Sequence, residues 1–331
     1  MSYDKKILAA ARRELERDRA ARGDELDARR KSVYERQPRI RAIDRELSTT
    51  AAAVLKTALE SGGDPTAAIE RLRDRNLGLQ DERAALLREM NLPADYLTDR
   101  PLCEKCGDSG YVGGGALCEC VKTRYARLLK EQLSAVLPIA DQNFASFRMD
   151  YYSSRPDARL GLSPRENMEN NLFLCREYAA KFGPASPNLL LHGSTGLGKT
   201  FLSTCIAEAV SERGFSVAYD TAINIVAAYE TIKFGSGDGQ AAAERAARYE
   251  RADLLIIDDM GTEMGTAFTV SALYNLINNR LMAKRPMIVN TNLPPETLSE
   301  KYSPAVASRL LGEFMPLRFF GDDIRLMKKR M

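Results

Sequence analysis

Two groups of residues in this chain have types and spacings that could do chemistry. The first is Gly193-Ser194-Thr195-Gly196-Leu197-Gly198-Lys199-Thr200. Glycine lets a backbone turn its N–H groups inward around phosphate oxygens, and a helix starting at the end of the loop favours an anion at its N-terminus. Lys199 then reaches the β- and γ-phosphates, and the Thr200 hydroxyl is placed to ligate Mg2+. The run Asn188 to His192 reads as a buried strand before the loop, and "TFLSTCIAEAVSERG" as a helix after it. The pattern thus stands in the context its chemistry needs, and the loop is expected to hold a nucleoside triphosphate.

"ADLLIIDDMG" repeats the logic on a second strand, Leu254 to Ile257. Asp258 at its end would hold the metal, often through water, and Asp259 would face the γ-phosphate and polarise an attacking water. A third strand, Met287 to Asn290, ends in Thr291 and Asn292. The Asn292 carboxamide can orient that water or can simply open the turn before Pro294. Arg309 lies on a helix predicted over "SPAVASRLLGEF". It reads either as a surface arginine or as a guanidinium delivered to a neighbouring subunit's γ-phosphate.

The second group is Cys103, Cys106, Cys118 and Cys120 within "CEKCGDSGYVGGGALCEC". A C-x2-C pair and a C-x-C pair on glycine-rich backbone can close four thiolates around Zn2+, with no open position left for catalysis. Four free thiols in a flexible loop are the alternative. The only histidine, His192, is far away in sequence. Cys175 and Cys205 fall on apolar helical faces and read as core residues.

These groups need elements to position them. At 331 residues the chain is long for one compact domain and fits two or three. From residue 188 strands and helices alternate, the pattern of an α/β domain with a parallel sheet covered by helices on both faces. Residues 4 to about 92 are rich in Ala, Arg, Glu and Leu, with Ile40, Ile43, Leu47, Val54 and Leu55 at helical spacing. A second helical signal has Asp64 as cap, Pro65 in the first turn, and Ile69, Leu72, Leu79, Leu86 and Leu87 as its stripe. Two or three long helices joined near Gly62 and Gly63 follow, either a charged hairpin with a solvated face or a module that docks on another protein. The boundaries are drawn at 1–95 for this helical region, 96–125 for a zinc knuckle, 126–185 for linker and helices, and 186–331 for the P-loop domain. Lys+Arg at 48 against Asp+Glu at 45, a net +3, is too balanced to imply wholesale polyanion binding, so any nucleic-acid surface is expected to be local. The charged N-terminus and the lack of a long apolar run predict a cytoplasmic protein with no membrane segment.

With these motifs in order, the chain resembles the AAA+ ATPases, specifically the bacterial helicase loaders of the DnaC/DnaI type and the related IstB-like transposition ATPases. The resemblance covers about residues 140 to 331, on "HGSTGLGKTFL", "DLLIIDDMGTE", "TNLPPETL", "SRLLGEF" and "FFGDDIRLMKKR". It implies ATP as ligand, Asn292 as sensor 1, Arg309 as arginine finger and Arg325 as a sensor-2 residue. Asp259 departs from the more widespread glutamate of this family, and slow hydrolysis used as an assembly switch is expected. The front half looks like loader architecture, helices that grip a helicase followed by a knuckle like that of DnaI-type proteins. The segment "SVAYDTAINIVAAYETIKFGSGDG" stands where such proteins carry a helical insertion that touches single-stranded DNA. Lys233 and Phe234 offer the charge and stacking face for that contact, unless the segment is a flexible loop with its Phe buried. The resemblance implies an ATP-dependent loader of a hexameric replicative helicase, self-assembling in its ATP state. The rival is an IstB-like, transposase-associated DNA-binding ATPase. A metabolic P-loop kinase is disfavoured because no acceptor site is recognisable.

Overall fold

In the computed structural model, residues 3–60, 66–134, 137, 142–235 and 237–328 are described, with side chains at all of these except 50–60, 66–69 and 328. Gly62, Gly63, Asp64 and Pro65, and the side chains of Val54, Leu55 and Ile69, lie outside the described residues. The chain divides into one unit of residues 12–118 and another of residues 1–11 with 119–331.

The first unit holds most of helix α1 (Lys5–Arg36), then α2 (Pro38–Glu60) and α3 (Thr66–Glu89). The break between α1 and α2 falls at Gln37-Pro38, because proline has no N–H and crowds the turn before it. Val33, Ile40, Leu87 and Leu97 form its buried core. Beside them the Asp44 carboxylate accepts from Tyr34 Oη and Arg83 Nε, both at 2.7 Å. Burial, followed by the Asp44 hydrogen bond, pushes the Tyr34 phenol up to about 12. A short hairpin of two-residue strands, β1 (Tyr111–Val112) with β2 (Ala116–Leu117), joined by Gly113–Gly115, ends the unit.

The second unit carries α4 (Glu119–Ser134), α5 (Pro164–Lys181), β3 (Asn188–Gly193), α6 (Lys199–Glu212), β4 (Val217–Thr221), α7 (Ala222–Phe234) and α8 (Gly239–Arg251). After these come β5 (Leu254–Met260), α9 (Ala267–Met282), β6 (Met287–Thr291), α10 (Pro295–Lys301), α11 (Pro304–Glu313), β7 (Phe314–Phe319) and α12 (Ile324–Lys328). Its strands form one parallel sheet in the order β4-β5-β6-β3-β7. Alternate residues of the apolar runs serve opposite faces. Leu189, Leu191, Ile256 and Ile288 meet the core that includes Met168 and Cys175 of α5 and Leu202 and Ile206 of α6. Leu190, Leu255, Ile257 and Val289 meet Ile225 of α7, Leu273 and Leu276 of α9, and Leu310 of α11. Cys175 and Cys205 are fully buried, as expected of core residues.

The strand order has one consequence for the site. β6 lies between β3 and β5, so the C-terminal ends of all three stand side by side. In open parallel sheets ligands bind outside those ends. Among the described residues no helix is long and apolar enough to cross a membrane.

One buried cation ties the opposite end of this sheet together. Arg280 of α9 is 1% exposed, and its Nη1 donates to the carbonyls of Tyr249, Glu250 and Ala252 at 2.7–3.2 Å, while Nη2 donates to Pro286 O at 2.8 Å. Three of those carbonyls end α8, where a cation also opposes the negative end of the helix dipole. Burial lowers the guanidinium's pKa, yet an arginine stays charged in a protein. Arg280→Met keeps much of the volume and strands four carbonyls, each worth roughly 1–3 kcal/mol when buried and unmet. A loss of at least about 3 kcal/mol is expected, measured by urea unfolding. A midpoint unchanged from wild type would mean those carbonyls find other donors.

Candidate functional site

β3 delivers the glycine-rich loop at the sheet's edge of strand ends. Gly193 has φ 142°, and a Cβ there would lie 2.0 Å from Phe319 O of the paired β7, so no side chain fits. Behind the loop, Tyr152 Oη donates to Leu197 O at 3.1 Å. Tyr152 comes from the segment "NFASFRMDYYSS", and its ring stacks on Phe147 with centroids 5.9 Å apart.

Lys199, the first residue of α6, is 5% exposed. Its ammonium donates to Gly193 O, Ser194 O and Asn292 Oδ1, each at 2.7 Å. Burial pulls its pKa down to about 8, against the opposing pull of Asp259 and Asp258. Asn292 also favours the charged form of the Asp259 carboxyl, so one carboxamide acts on both the loop lysine and the second acid of β5. Asp259 itself has φ 50°, a left-handed conformation that costs a non-glycine residue energy and is often found at functional sites. Burial and the neighbouring Asp258 raise its pKa, while Lys199, Arg325 and Asn292 oppose the rise.

Asp258 is buried and saturated. Its Oδ1 accepts from Asn290 Nδ2 at 2.7 Å, Asp259 N at 3.0 Å and Thr200 Oγ1 at 3.3 Å. Its Oδ2 accepts from Tyr219 Oη at 2.5 Å. The Thr200–Asp258 pairing places together the two groups expected to share a magnesium ion, and their hard oxygens suit that ion.

The chain's end closes over the loop. Ile324 N donates to Gly196 O at 3.0 Å, and Asp323 Oδ1 accepts from Arg325 N at 2.8 Å. The Arg325 side chain is exposed, and its charge acts on both Lys199 and Asp259. The structure therefore brings together Lys199, Thr200, Asp258, Asp259, Asn292 and Arg325, with Gly193, Gly196, Leu197 and Gly198 shaping the loop and Ser194 and Thr195 exposed on it. Arg309 is not in this group. It sits half-buried on α11 and makes no hydrogen bond or ion pair with any described residue.

Four contributors escaped the sequence reading. Asn290, Tyr219 and Tyr152 look like ordinary strand or loop residues until the fold aims them at Asp258 and Leu197. Glu263 carries a fainter signal, an acid two residues past a glycine. It is 5% exposed, accepts from Gly261 N at 3.0 Å and from Tyr302 Oη, and so fixes the loop that follows Asp259.

Lys233 and Phe234 end α7. The alternative of a flexible loop with a buried Phe is overturned: Phe234 is 66% exposed at the end of a helix whose last turn, from Ile232 on, faces outward. Lys233 Nζ stands over the rings of Phe268 and Phe234 at 4.8 and 5.5 Å.

The four cysteine sulfurs of Cys103, Cys106, Cys118 and Cys120 all lie within 4.8 Å of one another. None is in a disulfide. Cys103 Sγ and Cys118 Sγ are 3.7 Å apart, close to the roughly 3.8 Å edge of a tetrahedron with Zn–S bonds of about 2.3 Å. Asp108 holds the first knuckle, accepting from Cys103 N at 2.8 Å, from Leu102 N at 3.0 Å and from Arg22. Burial works against its charge, but these donors outweigh it and keep the carboxyl below its usual range.

A glycine-rich loop and an acid-tipped strand flanking a third, polar-ended strand in a parallel sheet define a P-loop domain of the ATP-binding AAA+ class. Residues 178–330 match the family described as IstB-like ATP binding protein. That region is an IstB-like ATP-binding domain, homologous to an ATP-binding protein of an insertion sequence and to the helicase loader DnaC. Over 140 residues, 42% of the chain, it is 29% identical to an ATP-binding protein of an insertion sequence of Mycobacterium tuberculosis. Over 161 residues, 48% of the chain, it is 26% identical to the replicative helicase loader DnaC of Escherichia coli. These matches span 54% and 65% of the relatives' own lengths. A crystal structure of the DnaC helicase loader is similar with a TM-score of 0.45 and 16% identity, over 55% of this chain and 99% of that one.

A Cβ on Gly196, whose φ is 73°, would fall 2.0 Å from Asp323 Oδ1. Gly196→Ala is therefore expected to expel residues 321–328 from the loop while leaving the sheet folded. Hydrogen exchange should show faster labelling confined to that segment, and unchanged protection there would refute the packing.

Proposed function

We propose that the chain is an ATP-dependent loader of a hexameric replicative helicase onto single-stranded DNA, with hydrolysis serving as an assembly switch. The observation that carries it is the Asn292 carboxamide between Lys199 and Asp259, a ready link between phosphate binding and the acid that would polarise water. In this reading residues 193–200 cradle the phosphates, Lys199 meets the β- and γ-oxygens, and Thr200 and Asp258 hold Mg2+. The bound ion would neutralise charge on the phosphate oxygens. Asp259 and Asn292 orient the attacking water, and Arg325 faces the phosphates from α12. The strained, partly buried Asp259 fits a slow switch better than a fast turnover enzyme.

Arg309, unpaired among the described residues, completes the site of a neighbouring subunit, so the ATP state assembles. Residues 1–95 dock on the helicase, and Cys103, Cys106, Cys118 and Cys120 hold a structural Zn2+ that keeps the 96–125 segment in shape. Residues 126–185 lead into the ATPase domain of 186–331. Lys233 and Phe234 supply the contact with single-stranded DNA. The insertion-sequence relative supports a second reading, a transposase-associated ATPase acting on duplex DNA. The helical region and cysteine cluster, both outside the matched residues 178–330, favour the loader.

Subunit mixing tests the switch. Lys199→Ala should abolish ATP binding, and Arg309→Ala should bind ATP normally yet lose hydrolysis stimulated by single-stranded DNA. The mixture should recover part of that activity, since some interfaces pair an intact finger with an intact loop. No recovery, together with hydrolysis per subunit independent of concentration and DNA, would point to a monomeric P-loop enzyme. Co-purification with candidate helicases, with and without ATP, then decides between loader and transposition partner.

Metal content tests the knuckle. Purified protein should hold about one zinc per chain, and Cys103→Ser with Cys106→Ser should lose it together with helicase docking while ATP binding persists. Undiminished zinc in that variant would dispose of the site.

A further inference from the structure

A cleft of about 590 Å³ opens among α7, α8 and α9, within the size range of small-ligand sites. Its lining combines Tyr229, Lys233, Glu250, Phe268, Asn275 and Asn279. Asn275 and Asn279 are one helical turn apart on α9 and so point the same way. Both are exposed, and neither carboxamide hydrogen-bonds any described residue. The rings of Phe268 and Phe234 stand 5.6 Å apart with Lys233 over both.

We propose that this cleft takes one unpaired base of a single DNA strand. The base would lie against Phe268, its edge on Asn275 and Asn279, with a backbone phosphate beside Lys233. This rests on the reading of the chain as a protein that grips single-stranded DNA, and it names what part of the strand is gripped. Lys233 and Glu250 cancel in charge, so the cleft suits a neutral heterocycle, while Lys233 at its rim suits the phosphate that accompanies it. Aromatic rings stack on any base, and free carboxamides pair with base edges. An apolar protein side chain would bury the same carboxamides without partners and leave the Glu250 carboxylate only the Tyr229 hydroxyl at 3.5 Å, which is costly.

The Glu250 carboxylate can only accept. Adenine, cytosine and guanine carry exocyclic amines that donate to it, whereas thymine offers only an N3–H set between two carbonyl oxygens that the carboxylate repels. The cleft therefore discriminates against thymine. It also lies one loop away from the candidate hydrolysis site, since the chain from Asp259 runs through the Glu263-anchored turn into Phe268.

The test measures anisotropy of labelled strands of equal length, all-cytosine, all-thymine and fully abasic, binding to the full chain in the presence of ATP at one fixed salt. Wild type is expected to hold the cytosine strand about tenfold more tightly than the abasic one, the order of one lost stack, with thymine between them. The double variant Asn275→Ala, Asn279→Ala is expected to lose the preference for cytosine over thymine while its DNA-free ATP hydrolysis stays at the wild-type rate. Equal affinity for all three strands overturns the base pocket and leaves the loader reading standing, because phosphates alone then hold the strand. Failure to bind any strand overturns both. A double variant that discriminates as wild type does overturns the pocket as well, and a side chain of a partner protein becomes its occupant.

Discussion

The buried ammonium of Lys199 is the constraint around which the ATP-binding unit is arranged. A charge this far from water needs oxygen partners, and here they come from two loop carbonyls and from Asn292. Two acids stand nearby, and their attraction offsets only part of the burial. Phosphate oxygens arriving in the loop would serve the ammonium better than neutral carbonyls do. Release of Asn292 by the ammonium would then leave that carboxamide facing Asp259 alone.

Stiffness around this lysine comes from polar groups that hydrophobic patterning does not register. Asp258 is held by four donors from four different segments, so its orientation is set before any metal arrives. Asp323 and Ile324 clamp Gly196 from the chain's far end. At the other end of the sheet, Arg280 gathers the end of α8 and the residue leading into β6. The two apolar cores give the domain its stability, and these ties give its strand ends their geometry.

In the unit of residues 12–118, order is similarly local and polar. Asp108 draws two backbone N–H groups and Arg22 onto one carboxylate, which sets the loop that carries Cys103 and Cys106. The hairpin of β1 and β2 returns Cys118 toward that loop, with Cys118 N on Gly110 O at 2.8 Å. Within this unit the sulfurs of Cys103, Cys106 and Cys118 are placed by short-range turns, which explains why their spacing could be interpreted without knowing the rest of the fold.

What the sequence determined by itself was whatever depends on neighbours along the chain. The loop from Gly193 to Thr200, its strand and helix, the acid-tipped β5, the polar end of β6 and the cysteine spacing are all local patterns, and local patterns carry their own turn chemistry and periodicity. The helices before residue 92 were legible for the same reason, although the break at Pro38 was not drawn from its proline. Only the tertiary structure decided that β6 lies between β3 and β5, and with it that Asn292 would reach both Lys199 and Asp259. Strand order depends on how faces of different elements bury one another, a long-range free energy that no spacing encodes. Tyr219, Asn290, Glu263 and Arg280 belong to that same class: each is an unremarkable residue in its own element, given its partners by elements tens of residues away.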